Sequence, residues 1–372
     1  MKRNLTVLAL LLSSTLFAQQ PDPFRLPGFT PVAMAPVTNV KNQGISGTCW
    51  CFSATSMLES EALRKADVQL DLSEAFTVRN IYMEKAKNYV LRQGKAQFSE
   101  GGLGHDLVRA VAQYGAMPES AFPASRDPQK GIDHQKMFGA LKHYVDSIVK
   151  LPRVEAGWMM GYEFLLDQYM GRPPATFPFN GKTYTPSDFA KDVMHFDAAD
   201  YVSLTSFTHQ PYYKPFVVQV PDNFSNGLYY NLPLDELVAV TKGALRQKYS
   251  ISWDADVSNG GFQQGQGFAM YRGATASKEK LTAASSEDSA SATERQRLYE
   301  SLVTQDDHLM HLVGIERSNA GKEFFMVKNS WGSVGPFGGY ILVSEPYFRI
   351  NTITLVMPKA ALPKDLQTKL KL

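Results

Sequence analysis

The sequence has little cysteine: two residues in 372, Cys49 and Cys51, on either side of Trp50. On a helix, residues this close point to nearly opposite sides and cannot reach disulfide distance, so a disulfide framework is excluded. No charge of one sign dominates, since 38 basic and 36 acidic residues leave a net charge of +2. Nucleic acid is therefore not predicted as a partner. A GxxxxGK-type phosphate loop is also absent, and no cofactor is expected.

Long apolar runs are also few. Two basic residues precede an apolar run over Leu5–Phe17 that ends at Ala18, which is the pattern of a secretory signal peptide. The run is shorter than the about 20 residues of a membrane span, and no later stretch is apolar enough to cross a bilayer. We predict a signal peptide over residues 1–18 and export to the periplasm or outside the cell, with a mature chain starting at Gln19 or Gln20.

The rest of the chain has the composition of a globular protein, with 44% hydrophobic residues. Helical patterns dominate its first half, and strand patterns dominate its end. Helices are predicted from Thr48 to about Lys65, from Ser73 to about Leu91, from Gly104 to Tyr114, and over 234–247. Strands are predicted over 201–204, 216–220, 249–253, 309–315, 323–328 and 339–343. This segregation favours an α+β fold.

One segment, residues 42–53, runs from a glycine-punctuated loop directly into the first predicted helix. Thr48 is predicted to be the N-cap, which places Cys49 in the first turn. Unpaired backbone N–H groups and the helix dipole favour an anion there and so stabilise a thiolate, the nucleophilic form of cysteine. The alternative is that Cys49 is a small buried hydrophobic residue, so this segment alone leaves catalysis open.

A cysteine nucleophile needs a base and a group that orients the base. Among seven histidines, His308 stands out because residues 307–314 begin a strand pattern that is followed by Lys-Asn-Ser-Trp-Gly at 328–332. A competing interpretation is a metal site with four ligands: Cys49, Cys51, His308 and His311. The sequence lacks any repeated Cys-x-x-Cys or His-Glu-x-x-His spacing, and the two histidines would lie on opposite sides of a strand. We do not predict a metal.

The motif Asn-Gln-Gly-x-x-Gly-x-Cys-Trp-x-Phe-Ser at 42–53, with Lys-Asn-Ser-Trp-Gly at 328–332, resembles the papain superfamily of cysteine peptidases. Residues 72–74, 101–102 and 114–118 are similar to segments of the bleomycin hydrolase and bacterial aminopeptidase C branch. The resemblance covers most of the mature chain. It implies a papain-like fold of two lobes: a mainly helical N-terminal lobe with the nucleophile helix, and an antiparallel β-barrel-like C-terminal lobe. The active site is expected in the cleft between them.

The resemblance also divides the mature chain, residues 19–372, as a single peptidase domain. We expect a helical lobe over about 40–150, an insertion over about 150–230, a β lobe over about 231–358 and a short helical tail over 359–372. A serine- and alanine-rich stretch at 274–294 is poor in apolar residues, and we predict that it forms a mobile loop.

Roles in catalysis follow from the resemblance. Cys49 is expected to be the nucleophile, in a thiolate–imidazolium pair with His308, which then protonates the leaving amine. Asn329 is expected to orient the ring of His308. The side chain of Gln43 and the N–H of Cys49 are expected to form an oxyanion hole.

Three further residues are assigned to the substrate groove. Gly101 and Gly102 are expected to line it and pair with the substrate backbone, and Trp331 is expected to shield the bond between histidine and asparagine from water. Ser46 stands where typical relatives have a disulfide-forming cysteine, and Cys51 is interpreted as packing.

The kind of peptidase is predicted from the tail. In the bleomycin hydrolase branch, a C-terminal arm ends in the cleft, and its carboxylate docks the free amino group of the substrate. Residues 359–372 form only a short helical tail, so a cleft open at both ends and endopeptidase activity on peptides or proteins are predicted. The alternatives are an aminopeptidase and a catalytically silent homologue that binds peptides. Relatives of this branch are usually cytoplasmic hexamers, and the signal peptide counts against an oligomer here.

Overall fold

The computed structural model describes residues 26–125, 131–273 and 279–372, so the predicted signal peptide lies outside the described residues. The helices in these ranges are α1 Cys49–Ala66, α2 Glu74–Leu91, α3 Gly104–Tyr114, α4 Gln135–Val149, α5 Trp158–Met170, α6 Pro186–Asp188, α7 Leu234–Arg246, α8 Ala292–Glu300, α9 Glu345–Asn351 and α10 Lys364–Leu370. None of them is long and apolar enough to cross a membrane.

The strands are β1 Phe29–Met34, β2 Phe177–Phe179, β3 Lys182–Tyr184, β4 Tyr201–Thr205, β5 Pro215–Val217, β6 Leu228–Asn231, β7 Ile251–Ala255, β8 Phe262–Gln263, β9 Phe268–Ala269, β10 His308–Ser318, β11 Glu323–Lys328, β12 Tyr340–Ser344 and β13 Thr352–Pro358. All except β2 and β3 form one sheet in the order β5-β6-β4-β13-β7-β10-β11-β12-β9-β8, with β1 paired to β10. The pairings are antiparallel except β4 with β6 and β12 with β9. The β lobe is therefore slightly mixed rather than purely antiparallel.

The predicted insertion contributes to both lobes. Its strands β4, β5 and β6 extend the main sheet beyond β13. Its helix α5 packs against α2 and α4 of the helical lobe. The insertion is therefore attached to both lobes.

Helix α1 is buried on every side from Cys49 to Ala62, not only on the apolar face that the sequence pattern predicts. One side packs into the helical lobe, and the other faces strands β7 and β10. On the strand side, the Ser53 hydroxyl donates a 2.6 Å hydrogen bond to the carbonyl of Met310. Short polar side chains on this side let the helix approach the sheet while the polar groups remain satisfied.

Thr48 is the N-cap residue of α1, as predicted, but it makes no side-chain capping bond. Its side chain accepts no hydrogen bond from the first turn of α1, and its hydroxyl instead pairs with that of Ser46 at 2.6 Å. The Thr48 carbonyl still accepts the first helical hydrogen bond, from Cys51 N–H at 2.9 Å. The N-terminus of α1 is thus left without a side-chain cap for its first N–H groups.

The serine- and alanine-rich stretch is more ordered than predicted. Residues 274–278 lie outside the described residues, whereas α8 begins at Ala292. Between them, Leu281 is buried in the core. The carboxylate of Glu287 accepts hydrogen bonds from Tyr271 N–H, the Ser344 hydroxyl and the Lys322 ammonium. The prediction of a mobile loop is wrong for this part, because a few buried contacts hold it in place although it has no continuous apolar pattern.

Candidate active site

Cys49 begins α1 at the bottom of the cleft, where the helix end meets the start of β10. Its side chain is 8% exposed, and the backbone N–H of Leu309, the residue after His308, lies in hydrogen-bond contact with its thiol. The cysteine and the start of the histidine strand, far apart in sequence, are therefore neighbours.

His308 is held in one orientation by residues around it. Its Nε2 lies 2.7 Å from Oδ1 of Asn329, and its ring stacks on Trp331 with 4.7 Å between centroids. The Asn329 amide is fixed in turn, because its Nδ2 donates to Oε1 of Gln264 at 3.1 Å. Since Oδ1 can only accept, Nε2 carries the proton and Nδ1 keeps a lone pair that can receive the proton of a thiol.

Gln43 lies beside the same loop. Backbone pairing between Asn42 and Trp331 brings the two segments together. Oε1 of Gln43 accepts from the Ser330 hydroxyl at 2.6 Å, and Nε2 donates to the carbonyl of Ser46 at 2.8 Å. A primary amide has two N–H donors, so one remains for an oxyanion, beside the uncapped end of α1.

Gly101 and Gly102 pass close to the nucleophile helix. A Cβ added at Gly102 would lie 3.1 Å from the indole of Trp50, so only glycine fits there without displacing the ring. Gly101 has its carbonyl bonded to the Lys85 ammonium, and a Cβ added to it would overlap the carboxylate of Asp222. Asp222 and Gln264 were not predicted as site residues, because neither belongs to a recognisable sequence motif.

The alternative metal ligands are not assembled. His311 points away from His308 and bonds through Nδ1 to the hydroxyl of Ser56 in α1 at 2.9 Å. Cys51 is buried, with its sulfur 3.6 Å from the carbonyl of Glu74. Within the three described ranges, no three His, Cys, Asp or Glu side chains are placed so that they could hold a metal ion together.

Burial opposes a charge on either partner of the cysteine–histidine pair. It raises the pKa of the Cys49 thiol to about 12, with added negative charge from Asp306, Asp222 and Asp254. It lowers the pKa of His308 to about 4, against a smaller rise caused by the hydrogen bond with Asn329. Burial thus opposes a thiolate or an imidazolium that forms alone, so the two charges have to form together, when the proton moves between Cys49 and His308. The thiolate–imidazolium pair stays a prediction.

This arrangement, a buried thiol at a helix N-terminus with an imidazole held by an asparagine, is that of a thiol hydrolase. The chain belongs to the Peptidase C1-like family, whose model matches residues 162–372. The model of the papain family cysteine proteases matches residues 30–136. The chain is therefore a cysteine peptidase of the papain superfamily, in the bleomycin hydrolase and aminopeptidase C branch, and the resemblance noted in the sequence is confirmed.

Individual relatives agree with this assignment. Aminopeptidase C of Lactobacillus delbrueckii subsp. lactis is 24% identical over 88% of this chain and 81% of its own length. Bleomycin hydrolase of Gallus gallus is 23% identical over 90% of this chain and 82% of its own length. The crystal structure of PepW from Lactobacillus rhamnosis superposes with a TM-score of 0.73 at 20% identity, over 92% of this chain and 84% of that one. The predicted two-lobed papain-like fold is confirmed.

Proposed function

We propose that this enzyme hydrolyses peptide bonds through Cys49, His308 and Asn329, by way of an acyl-enzyme. The observation that carries the proposal is the 2.7 Å contact between Nε2 of His308 and Oδ1 of Asn329. It leaves Nδ1 as the only ring nitrogen of His308 that can accept a proton. The next residue, Leu309, contacts the Cys49 thiol through its backbone N–H. This geometry argues against the silent peptide-binding alternative, which has no need of an oriented base.

The proposed reaction has two halves. The Cys49 proton passes to Nδ1 of His308 as the sulfur attacks the peptide carbonyl, and the resulting oxyanion is bound by Nε2 of Gln43 and the Cys49 N–H. His308 then gives the proton to the leaving amine, which departs and leaves a thioester. Water, deprotonated by the same imidazole, hydrolyses the thioester and restores the thiol.

Whether cleavage needs a free N-terminus distinguishes two hypotheses. The sequence predicts an endopeptidase, and this stays a prediction. The relatives named aminopeptidase C support the aminopeptidase alternative. The tail helix α10 packs on the β lobe, with Leu366 and Leu370 in its core.

The proposal is tested with two fluorogenic peptide amides of the same sequence, one with a free and one with an acetylated N-terminus. We expect at least one to be cleaved, and activity to disappear in step with alkylation of Cys49 by iodoacetamide, located by peptide mass mapping. The matched control is the Cys51→Ala variant, because Cys51 is buried and outside the site. Iodoacetamide should inactivate this variant at the same rate as wild type. Cleavage of the free peptide alone would eliminate the endopeptidase hypothesis, and activity that survives full alkylation of Cys49 would eliminate the mechanism.

We also propose that the enzyme is exported, because residues 1–18 have the charge and apolar pattern of a signal peptide. When the full chain is expressed in a bacterium, N-terminal sequencing of the non-cytoplasmic fraction should start at Gln19 or Gln20. The Leu11→Arg variant, which interrupts the apolar run, should accumulate in the cytoplasm with its leader attached. Wild-type protein that keeps Met1 and stays in the cytoplasm contradicts export.

A further inference from the structure

One carboxylate of the insertion reaches into the groove beside the nucleophile. Asp222 lies in the loop between β5 and β6, residues 218–227, called here the Asp222 loop. Its carboxylate lies directly against Gly101, where a Cβ could not fit. It accepts 2.9 Å hydrogen bonds from Gln97 Nε2 and the Ser99 hydroxyl, both through Oδ1. Oδ2 takes no part in these two bonds.

The Asp222 loop is anchored rather than loosely exposed. Asn223 closes it internally, accepting from Gly227 N–H at 2.7 Å and donating to the carbonyl of Val218 at 3.0 Å. The hydroxyl of Ser225 lies 2.8 Å from Nε2 of His105 and donates to Asp106 at 2.7 Å. His105 and Asp106 lie in the first turn of α3, just after Gly101 and Gly102. The Asp222 loop and the glycine segment therefore form one rigid wall.

Two more carboxylates, from the β lobe, lie near Asp222. Asp254 of β7 is fully buried, and its Oδ1 has no hydrogen-bond donor among the described residues; the same holds for Oδ2 of Asp306. The two carboxyls contact each other, and the backbone N–H of Asp222 contacts Asp306. Carboxyls this close cannot both ionise without a cation, so they share a proton until one arrives.

No ion pair in the described parts of the chain includes Asp222, Asp254 or Asp306. The buried ammonium of Lys85 is near enough for Asp222 and Asp306 to raise its pKa, against the larger lowering by burial. Its hydrogen bonds, however, go to the carbonyls of Ser99 and Gly101. The cluster thus carries more negative than positive charge, and the same three carboxylates raise the pKa of the Cys49 thiol.

We propose that Asp222, Asp254 and Asp306 form an acidic subsite that binds an alkylammonium group of the substrate on the acyl side of the scissile bond. The group is either the free α-amino group of the peptide or the side chain of a lysine. The inference rests on the proposed function, with Cys49 as nucleophile. A bound cation displaces the shared proton and offsets the negative charge near the thiol, so the correct substrate also makes proton transfer from Cys49 easier.

Three fluorogenic amides test the subsite. Alanine amide carries only a free α-ammonium, acetyl-lysyl-alanine amide only a side-chain ammonium, and acetyl-alanyl-alanine amide no cation. In the Asp222→Asn variant, the preference in kcat/KM for a cationic over the neutral substrate should fall about 10- to 100-fold, as expected when a charged hydrogen-bond partner is lost. Asn keeps the acceptor for Gln97 and Ser99, so the wall is preserved. The substrate whose preference falls identifies the source of the ammonium.

A second readout separates binding from folding. Removing the negative charge should make Cys49 of Asp222→Asn react about two- to fivefold faster with iodoacetamide at fixed pH, whereas its cleavage of cationic substrates slows. Asp306→Asn should change both quantities in the same directions. The control is Asp192→Asn, an exposed aspartate in the turn after α6, which should change neither.

The proposal is overturned if both variants keep the wild-type preference within twofold, or if neutral and cationic substrates lose activity equally. If wild type cleaves none of the three amides, the proposed function fails, and the subsite is then tested by protection. Alanine amide or Nα-acetyllysine amide should slow alkylation of Cys49 in wild type and not in Asp222→Asn. Equal protection in both proteins counts against the subsite.

Discussion

Replacing either Cys49 or His308 by alanine is expected to lower kcat/KM by about 10⁴-fold or more, and replacing both should cost little more than replacing one. The two side chains act as a unit, because burial keeps each of them neutral on its own. The pKa of the thiol is about 12 and that of the imidazole is about 4, so at pH 6 each group on its own is neutral. A reactive thiolate therefore forms only when its proton has His308 to go to.

Alkylation measures this dependence separately from peptide cleavage. At pH 6, Cys49 of the His308→Ala variant should react with iodoacetamide far more slowly than in wild type, and the rate should recover only as the pH rises toward the pKa of the thiol. The matched control is His311→Ala, which removes the other buried histidine of β10, bonded to Ser56 rather than Asn329. Equal alkylation rates for wild type and His308→Ala at pH 6 would falsify the assignment of His308 as the base.

The local parts of the site could be predicted from the sequence because each is encoded by a short motif. Cys49 follows a glycine loop and begins a helix, and the Asn329 loop directly follows a strand. The predicted bounds of α1, α2, α3 and β11 agree with the structure to within about two residues.

What the sequence could not reveal depends on contacts between distant segments. Asp222 lies in an irregular, aromatic-rich stretch and matters only because the Asp222 loop folds against the start of α3. Gln264, which orients the Asn329 amide, lies in a short turn with no motif. The protonation of the cysteine–histidine pair depends on burial by both lobes, which no local pattern records.

A second group of buried charges lies behind the catalytic residues. The Lys41 ammonium, two residues before Gln43, contacts Glu59 at 3.1 Å, Glu74 at 2.9 Å and the more exposed Asp71 at 2.7 Å. Glu59 also accepts hydrogen bonds from the Thr38 hydroxyl at 2.6 Å and the backbone N–H of Leu72 at 2.8 Å. The cluster joins the segment that carries the oxyanion glutamine to helices α1 and α2.

We expect Lys41→Met to destabilise the fold by about 3–5 kcal/mol at pH 8, because it leaves buried carboxylates without their cation. The loss should be smaller at pH 5. Burial already raises the pKa of Glu74 to about 8, and without the Lys41 ammonium this native-state pKa lies still further above its unfolded value. Stability that is present below the unfolded pKa is then lost as the pH rises toward the native pKa.

Urea denaturation of wild type and variant at both pH values measures this difference. The control is Lys142→Met, which breaks the half-exposed pair between Lys142 and Asp146 within α4 and should cost less than about 1 kcal/mol at either pH. A loss for Lys41→Met no larger than that of the control would show that the cluster is solvated and contributes little. A large loss that does not change between pH 5 and pH 8 would mean that lost packing of the lysine stem, rather than uncompensated charge, destabilises the segment leading to Gln43.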